Sequence, residues 1–504
     1  MFAYIRIHFV RFPPMIKFGT SGWRAVVPEE FTFQNVRRVA YAIAGFVKEN
    51  PESGILSADY KSHIKREPPV VPEVIVGYDT RFLSEEFAQE LASVLASAGV
   101  KSYFSQAEVP TPAAAWAILE RKAVGGAMIT ASHNGPYYNG VKWMPYWGGA
   151  ATPAVTDDLE RRIEFLGEQA PRAMAWDKAV RESLVESQDF RKGYLRQVSS
   201  LLDLKAIKNS HMKIGVDSLH GAGRNYLAPF LESLGIEVVE LNKNRDVLFG
   251  GRSPEPTEES LQDLAAVMRK KKLSLGLAMD GDADRFGILD AGGTWIGPND
   301  VLALALEHLV AHKGMKGKVA RTVMTSHFVD AVAKSYGLET RETPVGFKYI
   351  GELLRTGHFI LGGEESGGLS IRGHVPEKDG ILACLLMVEL AAKEKKPLAA
   401  VRERLFKRVG HFCSARINFR IEKFRQMIEV QERLRVKPPL DLAGGSVWRI
   451  DESDGFKFIL RDGSWLGLRP SGTESAFRVY AEAATPKALG GLVEAGKKLL
   501  QGKF

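Results

Sequence analysis

Three stretches of the chain share one grammar, and that repetition limits the fold more than any other feature. Val74-Ile75-Val76-Gly77-Tyr78-Asp79 is a β-branched run ending in Gly and Asp, followed by a helix-period segment over residues 85–98, Gly99, and a short strand over 101–104. The second copy runs Lys213-Ile214-Gly215-Val216-Asp217, a helix over 225–234, Gly235 and a strand over 236–241. The third is a strand over 319–325, a helix over 328–336, Gly337 and a strand over 338–342. In each copy a glycine closes the helix, where a left-handed C-cap is cheap only without a Cβ. Strand, helix, strand within about thirty residues is the grammar of a sheet covered by helices. Three copies in series predict three similar α/β domains with mixed sheets.

The last hundred residues read differently. Residues 412–421 alternate as a strand does, 423–434 have helical period, 446–450 and 455–460 look like hairpin strands, and 486–500 form a final helix. This predicts a smaller α+β domain at the C-terminus, so that four domains surround a central cleft. At roughly 150 residues per domain, 504 residues fit three to four domains. The expected divisions are an N-terminal extension over 1–14, then domains over 15–188, 189–298, 299–410 and 411–504. The extension is apolar with scattered arginines and lacks a small-residue cleavage site, and a more regular segment begins at Met15.

Charge and cysteine content exclude several classes. Lys and Arg number 68 against 60 Asp and Glu, a net +8, and the longest like-charge block is Arg269-Lys270-Lys271-Lys272. That block reads as a solvated helix end, so no nucleic-acid partner is expected. Two cysteines, Cys384 and Cys413, cannot make a disulfide framework or a multi-cysteine metal site. No apolar run reaches membrane-spanning length, and a cytoplasmic location is expected.

Four loops carry chemistry. Asp280-Gly281-Asp282-Ala283-Asp284-Arg285 follows an apolar run over 273–279. Alternate aspartates in an extended loop point three carboxylates one way, and such an array repels itself unless a divalent cation fills it. Oxygen ligands favour Mg²⁺ over zinc. An EF-hand loop is the competing reading, weakened because Ala291 stands at the twelfth position; a merely solvated acidic turn is the other. Arg285 beside the aspartates suits pairing with phosphate or with the ligands.

Thr130-Ala131-Ser132-His133-Asn134 follows the strand-like Gly126-Ala127-Met128-Ile129 and precedes Tyr138-Asn139-Gly140-Val141-Lys142. Ser132 is a candidate nucleophile, but no Gly-x-Ser-x-Gly elbow supports a hydrolase, and a structural Ser-His-Asn turn stays open on these residues alone. Gly362-Gly363-Glu364-Glu365-Ser366-Gly367-Gly368 offers carboxylates and a hydroxyl suited to sugar hydroxyls. Arg469-Pro470-Ser471-Gly472-Thr473-Glu474-Ser475 has the ingredients of a phosphate cradle, though Pro-Ser-Gly is also an everyday turn.

In that order, one per domain, the four loops resemble those of the α-D-phosphohexomutase superfamily, the phosphoglucomutases and phosphomannomutases. The resemblance extends to Phe18-Gly19-Thr20-Ser21-Gly22-Trp23-Arg24, to Gly77-Tyr78-Asp79-Thr80-Arg81 and to Lys378-Asp379-Gly380. It departs at Ala25, Gly135 and Ser475, which remove no chemical group. The resemblance implies that Ser132 carries a phosphoryl group and that one Mg²⁺ per chain is held by Asp280, Asp282, Asp284 and the phosphate on Ser132. It implies that Lys142, Arg24, Arg285 and His133 surround the reacting group. Lys142 is then the better acid/base candidate, its pKa expected to be depressed by neighbouring cations. Glu364, Ser366 and Lys348 would contact the sugar; Arg469, Ser471, Gly472 and Thr473 would hold the non-reacting phosphate.

The implied reaction interconverts hexose 1-phosphate and 6-phosphate through a hexose 1,6-bisphosphate, which also serves as activator. Gly346-Phe347-Lys348 resembles the third-domain loop of phosphoglucomutases, so glucose is the expected sugar, with a phosphomannomutase or dual enzyme as the alternative. A glucosamine phosphate mutase is disfavoured by Ala283, where those relatives have Gly. A phosphatase acting through the same serine, or a silent sugar-phosphate-binding protein, are readings of another class. The expected partner is a small hexose phosphate; the sequence does not set the oligomeric state.

Overall fold

The structure is a computed structural model that describes residues 16–19, 21–50, 71–421, 424–470 and 476–502. The expected extension over 1–14 lies outside them, as do Ser471, Gly472 and Thr473 of the phosphate loop.

The first sheet contains β1 (Trp23–Val26), β2 (Glu73–Tyr78), β3 (Lys101–Ser105), β4 (Gly125–Ile129), β5 (Tyr138–Pro145) and β6 (Val185–Gln188) in the order β1-β5-β4-β2-β3-β6. Strands β4, β2, β3 and β6 run parallel to one another, β5 is antiparallel to β4, and β1 pairs antiparallel with β5. The second contains β7 (Lys213–Asp217), β8 (Glu237–Leu241), β9 (Leu275–Met279), β10 (Phe286–Asp290) and β11 (Thr294–Ile296), ordered β11-β10-β9-β7-β8. The third contains β12 (Lys318–Thr322), β13 (Thr340–Thr343), β14 (Phe359–Glu364) and β15 (Gly368–Ile371), ordered β13-β12-β14-β15. Each of these sheets is mixed, with parallel strands inside and an antiparallel partner added at one side. Strands β4 and β9 are buried at every residue, as interior strands covered by helices on both faces must be. The glycines that close the repeat helices take left-handed conformations, with φ 75° at Gly99, 80° at Gly235 and 68° at Gly337.

The second repeat departs from the sequence expectation. Its helix covers only Leu227–Ser233, after a 3₁₀ turn over Ala222–Asn225. Ala222 N donates to Gly281 O at 2.9 Å, which ties the turn before this helix to the acidic loop. The strand expected over 319–325 likewise ends at Thr322, where the chain turns.

The fourth domain is wholly antiparallel: β16 (Cys413–Arg420), β17 (Asp441–Leu442), β18 (Gly445–Asp451), β19 (Phe456–Leu460), β20 (Trp465–Pro470) and β21 (Ala476–Ala483), ordered β16-β21-β20-β19-β18-β17. It has its own core, around Met427, Phe458, Leu466 and Phe477. By contrast one continuous core joins the second and third domains to the first-domain helix Thr111–Arg121, with the helix Gly380–Glu394 buried through its middle. Each leucine fully buried there contributes roughly 1.5–3 kcal/mol, which binds the first three domains tightly. The fourth is joined to the third by a small apolar cluster of Val323, Met324, Trp465 and Tyr480 and by polar contacts, among them Lys457 Nζ to Val323 O at 2.6 Å and His327 N to Glu482 Oε1 at 3.0 Å. Among the described residues no helix is long and apolar enough to cross a membrane.

Candidate functional site

The first three domains present their loops from one topological position. In each, the loop joins an interior strand to its antiparallel partner: 130–137 between β4 and β5, 280–285 between β9 and β10, and 365–367 between β14 and β15. A chain that reverses direction there must leave the sheet end in a tight turn, which exposes polar groups beyond the strand tips. The fourth-domain loop, between β20 and β21, closes an antiparallel hairpin.

The serine loop is built around a buried guanidinium. Arg81, fully buried, donates through Nη1 to Gly135 O (2.8 Å) and Tyr138 O (3.0 Å), and through Nη2 to Ser132 O (2.5 Å) and Asn134 O (2.6 Å). Its Nε pairs with Asp79 at 3.1 Å. Asp79 in turn accepts from Thr130 Oγ1 at 2.6 Å, and Thr130 Oγ1 accepts from Ser132 N at 2.9 Å. This lattice holds Ser132 at φ 53°, a left-handed conformation that costs a non-glycine residue about 1 kcal/mol or more.

Ser132 Oγ donates to Asp280 Oδ2 at 2.7 Å and lies 3.4 Å from His133 Nδ1. Burial, followed by the charges of Arg285, Arg24, Lys378 and Arg416, holds the His133 imidazole well below its usual range, so it is neutral. Arg24 reaches the same loop from β1 and donates to Asn134 Oδ1 at 2.7 Å.

Asp280, Asp282 and Asp284 are fully buried, and one carboxylate oxygen from each lies within 4.8 Å of the others. Burial, together with the charges of Asp282 and Asp284, pushes Asp280 well above the usual carboxylate range. Asp282 Oδ2 accepts from Thr111 Oγ1 and from Lys142 Nζ, and Asp284 Oδ2 accepts from Lys142 Nζ at 2.8 Å and pairs with Lys378 Nζ at 3.0 Å. The other oxygens, Asp282 Oδ1 and Asp284 Oδ1, are buried with no hydrogen-bond partner. A buried carboxylate oxygen without a partner is costly. Oxygen-only donors that converge with unused lone pairs fit a hard divalent cation such as Mg²⁺.

Lys142 corrects one expectation. Burial would lower its pKa, but Asp282 and Asp284 outweigh it and raise the ammonium above its ordinary value. The neighbouring carboxylates, not the expected crowd of cations, set its charge and hold it as an ammonium. Arg285 also departs from simple pairing with the aspartates: its backbone N donates to Asp280 Oδ1 at 3.0 Å, while Nη1 pairs with Glu255 at 2.9 Å.

On the third domain, Glu364 ends β14 with its carboxylate accepting from Gly346 N at 2.9 Å and from Ser366 Oγ at 3.3 Å. Burial pushes its pKa up to about 7. Glu365 points elsewhere, accepting from Thr322 Oγ1 at 2.8 Å inside its own domain. Lys348 is half-buried with Nζ 5.2 Å from the Tyr349 ring centre, in the first turn of the helix Phe347–Arg355 that follows the Gly346 bonded to Glu364. Arg469 pairs through Nε with Asp454 at 2.9 Å. A cleft of about 590 Å³, lined by Arg285, Ser366, Asn299, Arg416 and Tyr480, opens between the second, third and fourth domains. Arg285 connects it to the aspartate cluster, since its backbone N bonds Asp280.

The structure therefore brings Ser132, His133, Lys142, Arg24, Arg285 and the three aspartates together, and places Ser366 and Arg285 on the wall of the cleft; Glu364, Lys348 and Arg469 do not line it. It adds residues to which sequence reasoning attached no role. Arg81 holds the serine loop, and Thr111 joins the first domain to Asp282, its backbone N also donating to Asp282 O at 2.9 Å. Lys378 and Gly380 seat the third domain on the acidic loop, Gly380 N donating to Ala283 O at 3.0 Å. Arg81 and Lys378 stand in turns whose charged residues were visible in the sequence; Thr111 had no such signal.

Comparison with known proteins follows the same division. Residues 15–169 match the family described as phosphoglucomutase/phosphomannomutase, alpha/beta/alpha domain I; 192–293 match domain II, 297–409 domain III, and 416–497 the C-terminal domain. A phosphoglucomutase/phosphomannomutase of Thermococcus kodakarensis is 31% identical over 96% of this chain and 98% of its own. A phosphoglucosamine/phosphogalactosamine mutase of Sulfurisphaera tokodaii is 28% identical over 96% of this chain and 99% of its own. A solved structure from Thermus thermophilus, assigned as a phosphomannomutase, superposes with a TM-score of 0.82 at 32% identity, covering 97% of this chain and 99% of that one.

Proposed function

The chain belongs to the phosphoglucomutase/phosphomannomutase family, and from that premise we propose that it interconverts glucose 1-phosphate and glucose 6-phosphate through a phosphorylated Ser132. The observation that carries this reading is the 2.7 Å bond from Ser132 Oγ to Asp280, one of three buried aspartates of which two have an oxygen without a partner. Asp280, Asp282 and Asp284, with the phosphate on Ser132, are the groups proposed to hold Mg²⁺. When bound, the cation supplies positive charge that offsets charge on the transferring phosphoryl group.

The chain's own residues do the rest. In the first half-reaction the free 6-hydroxyl oxygen of glucose 1-phosphate attacks phosphorus and the bond from phosphorus to Ser132 Oγ breaks. Lys142, an ammonium at the outset, gives its proton to the departing Oγ and takes the proton of the sugar hydroxyl, so it ends as it began. Arg24, Arg285 and neutral His133 surround the reacting group without competing for that proton. Glu364 and Ser366 accept and donate to sugar hydroxyls, Lys348 lies in the first turn of the adjoining helix, and Arg469 with Ser471, Gly472 and Thr473 grips the phosphate that does not react. The 1,6-bisphosphate turns over in the cleft and returns its other phosphate to Ser132. Water kept from the closed cluster cannot divert the phosphoryl group to hydrolysis. Added hexose 1,6-bisphosphate would rephosphorylate the enzyme and so activate it, and a cytoplasmic location suits such a substrate.

Glucose is proposed because Gly346-Phe347-Lys348 resembles the loop of phosphoglucomutases. A dual enzyme is the second reading, favoured by the Thermococcus relative, which is named for both glucose and mannose. The test is side-by-side kinetics on glucose 1-phosphate, mannose 1-phosphate and glucosamine 1-phosphate with Mg²⁺. Preference for glucose by about tenfold or more supports the first reading, and equal rates on glucose and mannose the second. Release of free phosphate in place of the isomer would make the enzyme a phosphatase.

A further inference from the structure

Asp454 lies in the turn between β18 and β19, outside every loop so far given a role, yet its two carboxylate oxygens join two domains. One accepts from Arg469 Nε at 2.9 Å, and the other accepts from the backbone N of Val345 at 2.9 Å. The next residue, Gly346, donates its own N to Glu364 at 2.9 Å. A continuous chain of bonds thus runs from Arg469 through Asp454 and the 345–346 backbone to Glu364.

The turn is shaped for this contact. Gly455 has φ 93°, and a Cβ there would stand 2.6 Å from Leu468 O and 3.0 Å from Arg469 Cα. Only glycine lets the turn approach β20 closely enough for Asp454 to lie along the edge of the Arg469 guanidinium. Gly346 is also left-handed in φ, at 131°, immediately before the helix Phe347–Arg355 that begins with Phe347 and Lys348. This bond chain therefore holds the two residues that lead into the helix carrying Lys348.

We infer that Asp454 is a positioning residue that couples the arginine of the distal phosphate site in the fourth domain to the sugar-binding loop of the third. The inference rests on the proposed mutase reading, in which Arg469 grips the non-reacting phosphate. Pairing at Nε fixes the plane of the guanidinium, and a planar fork binds phosphate only when its plane is set. The fourth domain packs on the third through Met324, Trp465 and Tyr480, and Asp454 adds to that seam a polar contact that reaches Arg469 directly. A phosphate drawn to Arg469 then draws the 345–346 segment and Glu364 into register with the sugar.

The experiment is a double-mutant cycle on the full-length enzyme with Asp454→Ala, Arg469→Ala and the double variant. It is read as KM and kcat for glucose 1-phosphate and glucose 6-phosphate, with melting temperatures recorded. Asp454→Ala is expected to raise KM about tenfold for both substrates and to lower kcat less. The double variant should bind no worse than Arg469→Ala alone, because Asp454 acts through the arginine. Asp454→Asn keeps an acceptor for Val345 N but presents an amide to Arg469; it should raise KM while sparing kcat more than Asp454→Ala, and it carries the test should the alanine variant fail to fold. Additive losses in the double variant, or an unchanged KM in both Asp454 variants, would overturn the role. If the unsubstituted enzyme isomerised no hexose phosphate, the functional reading would fall and this inference with it. Mutase turnover with additive losses would remove Asp454 alone.

Discussion

Ser132 Oγ and Asp280 Oδ2 stand 2.7 Å apart across the seam between the first and second sheets. The proposed phosphoryl carrier and a proposed metal ligand thus come from different domains, and neither loop makes the site alone. The approach is close enough that a Cβ on Gly281 would lie 2.6 Å from Ser132 O. Any side chain at position 281 would push the two loops apart, and with them the serine and the carboxylates.

Replacing Ser132 by alanine should abolish mutase turnover and leave the fold intact. The hydroxyl makes few contacts, and its loss removes the strain-bearing residue's chemistry but not the Arg81 lattice, which bonds its backbone O. Intact-mass analysis of the purified enzyme should show a phosphate adduct that the variant lacks. Full activity in the variant would end the phosphoserine reading.

Removing divalent cations with a chelator should bring activity close to zero, and Mg²⁺ should restore it. Mg²⁺ should also raise the melting temperature, because a ligand that binds only the folded state stabilises it by mass action. Asp282→Asn leaves an acceptor for Lys142 and Thr111 but weakens the cation site. Its melting temperature should respond little to Mg²⁺, and turnover should fall by on the order of a hundredfold. An unchanged rate under chelation would make the acidic loop structural.

Arg81 is the residue whose loss should most damage the fold near the site. Truncation to alanine strands the buried Asp79 carboxylate and leaves the carbonyls of Ser132, Asn134, Gly135 and Tyr138 without their donor. The expected destabilisation is about 3–5 kcal/mol by urea denaturation. Lysine cannot span four carbonyls and a carboxylate, so Arg81→Lys should recover only part of it.

Legibility in the sequence follows locality. The repeat grammar, the glycine caps and the aspartate loop are patterns within about thirty residues, and they appear in the structure where period and spacing place them. The helix of the second repeat is shorter than its period suggests and follows a 3₁₀ turn whose Ala222 N bonds Gly281 O, a partner distant in the chain that no periodicity reports. The charge of Lys142 departs from expectation for the same reason, since Asp282 and Asp284 lie in another domain. Arg81, Thr111 and Lys378 act through partners distant in the chain, so only folding shows what they hold.

Glu364 should make stability depend on pH. Burial raises its pKa from the ordinary 4.5 to about 7, so between those values the folded enzyme keeps a proton that the unfolded chain has lost. Stability therefore falls as pH rises through that window, by on the order of 3 kcal/mol at about 1.4 kcal/mol per pH unit. Glu364→Gln carries no such proton. The difference in urea midpoint between the variant and the parent should grow in the variant's favour from about pH 5 to about pH 8. A difference independent of pH would show that Glu364 ionises normally.

Arg469 separates binding from chemistry. It belongs to the fourth domain, pairs with Asp454 through Nε, and begins the loop proposed to hold whichever phosphate is not reacting. An arginine can meet phosphate with two parallel charge-assisted hydrogen bonds, and lysine cannot reproduce that fork. Arg469→Lys should weaken substrate binding noticeably, and Arg469→Ala by roughly 2–4 kcal/mol, as expected for a desolvated charge pair. Both 1-phosphate and 6-phosphate substrates should be affected alike, because one cradle is proposed to serve both half-reactions. Binding energy at this remote group is expected to help orient the reacting end, so turnover should fall as well. Steady-state kinetics in the two directions, with phosphorylation of Ser132 measured separately, provide the check. A variant impaired in one direction only would mean that the two phosphates occupy different sites, and the single cradle would have to be abandoned.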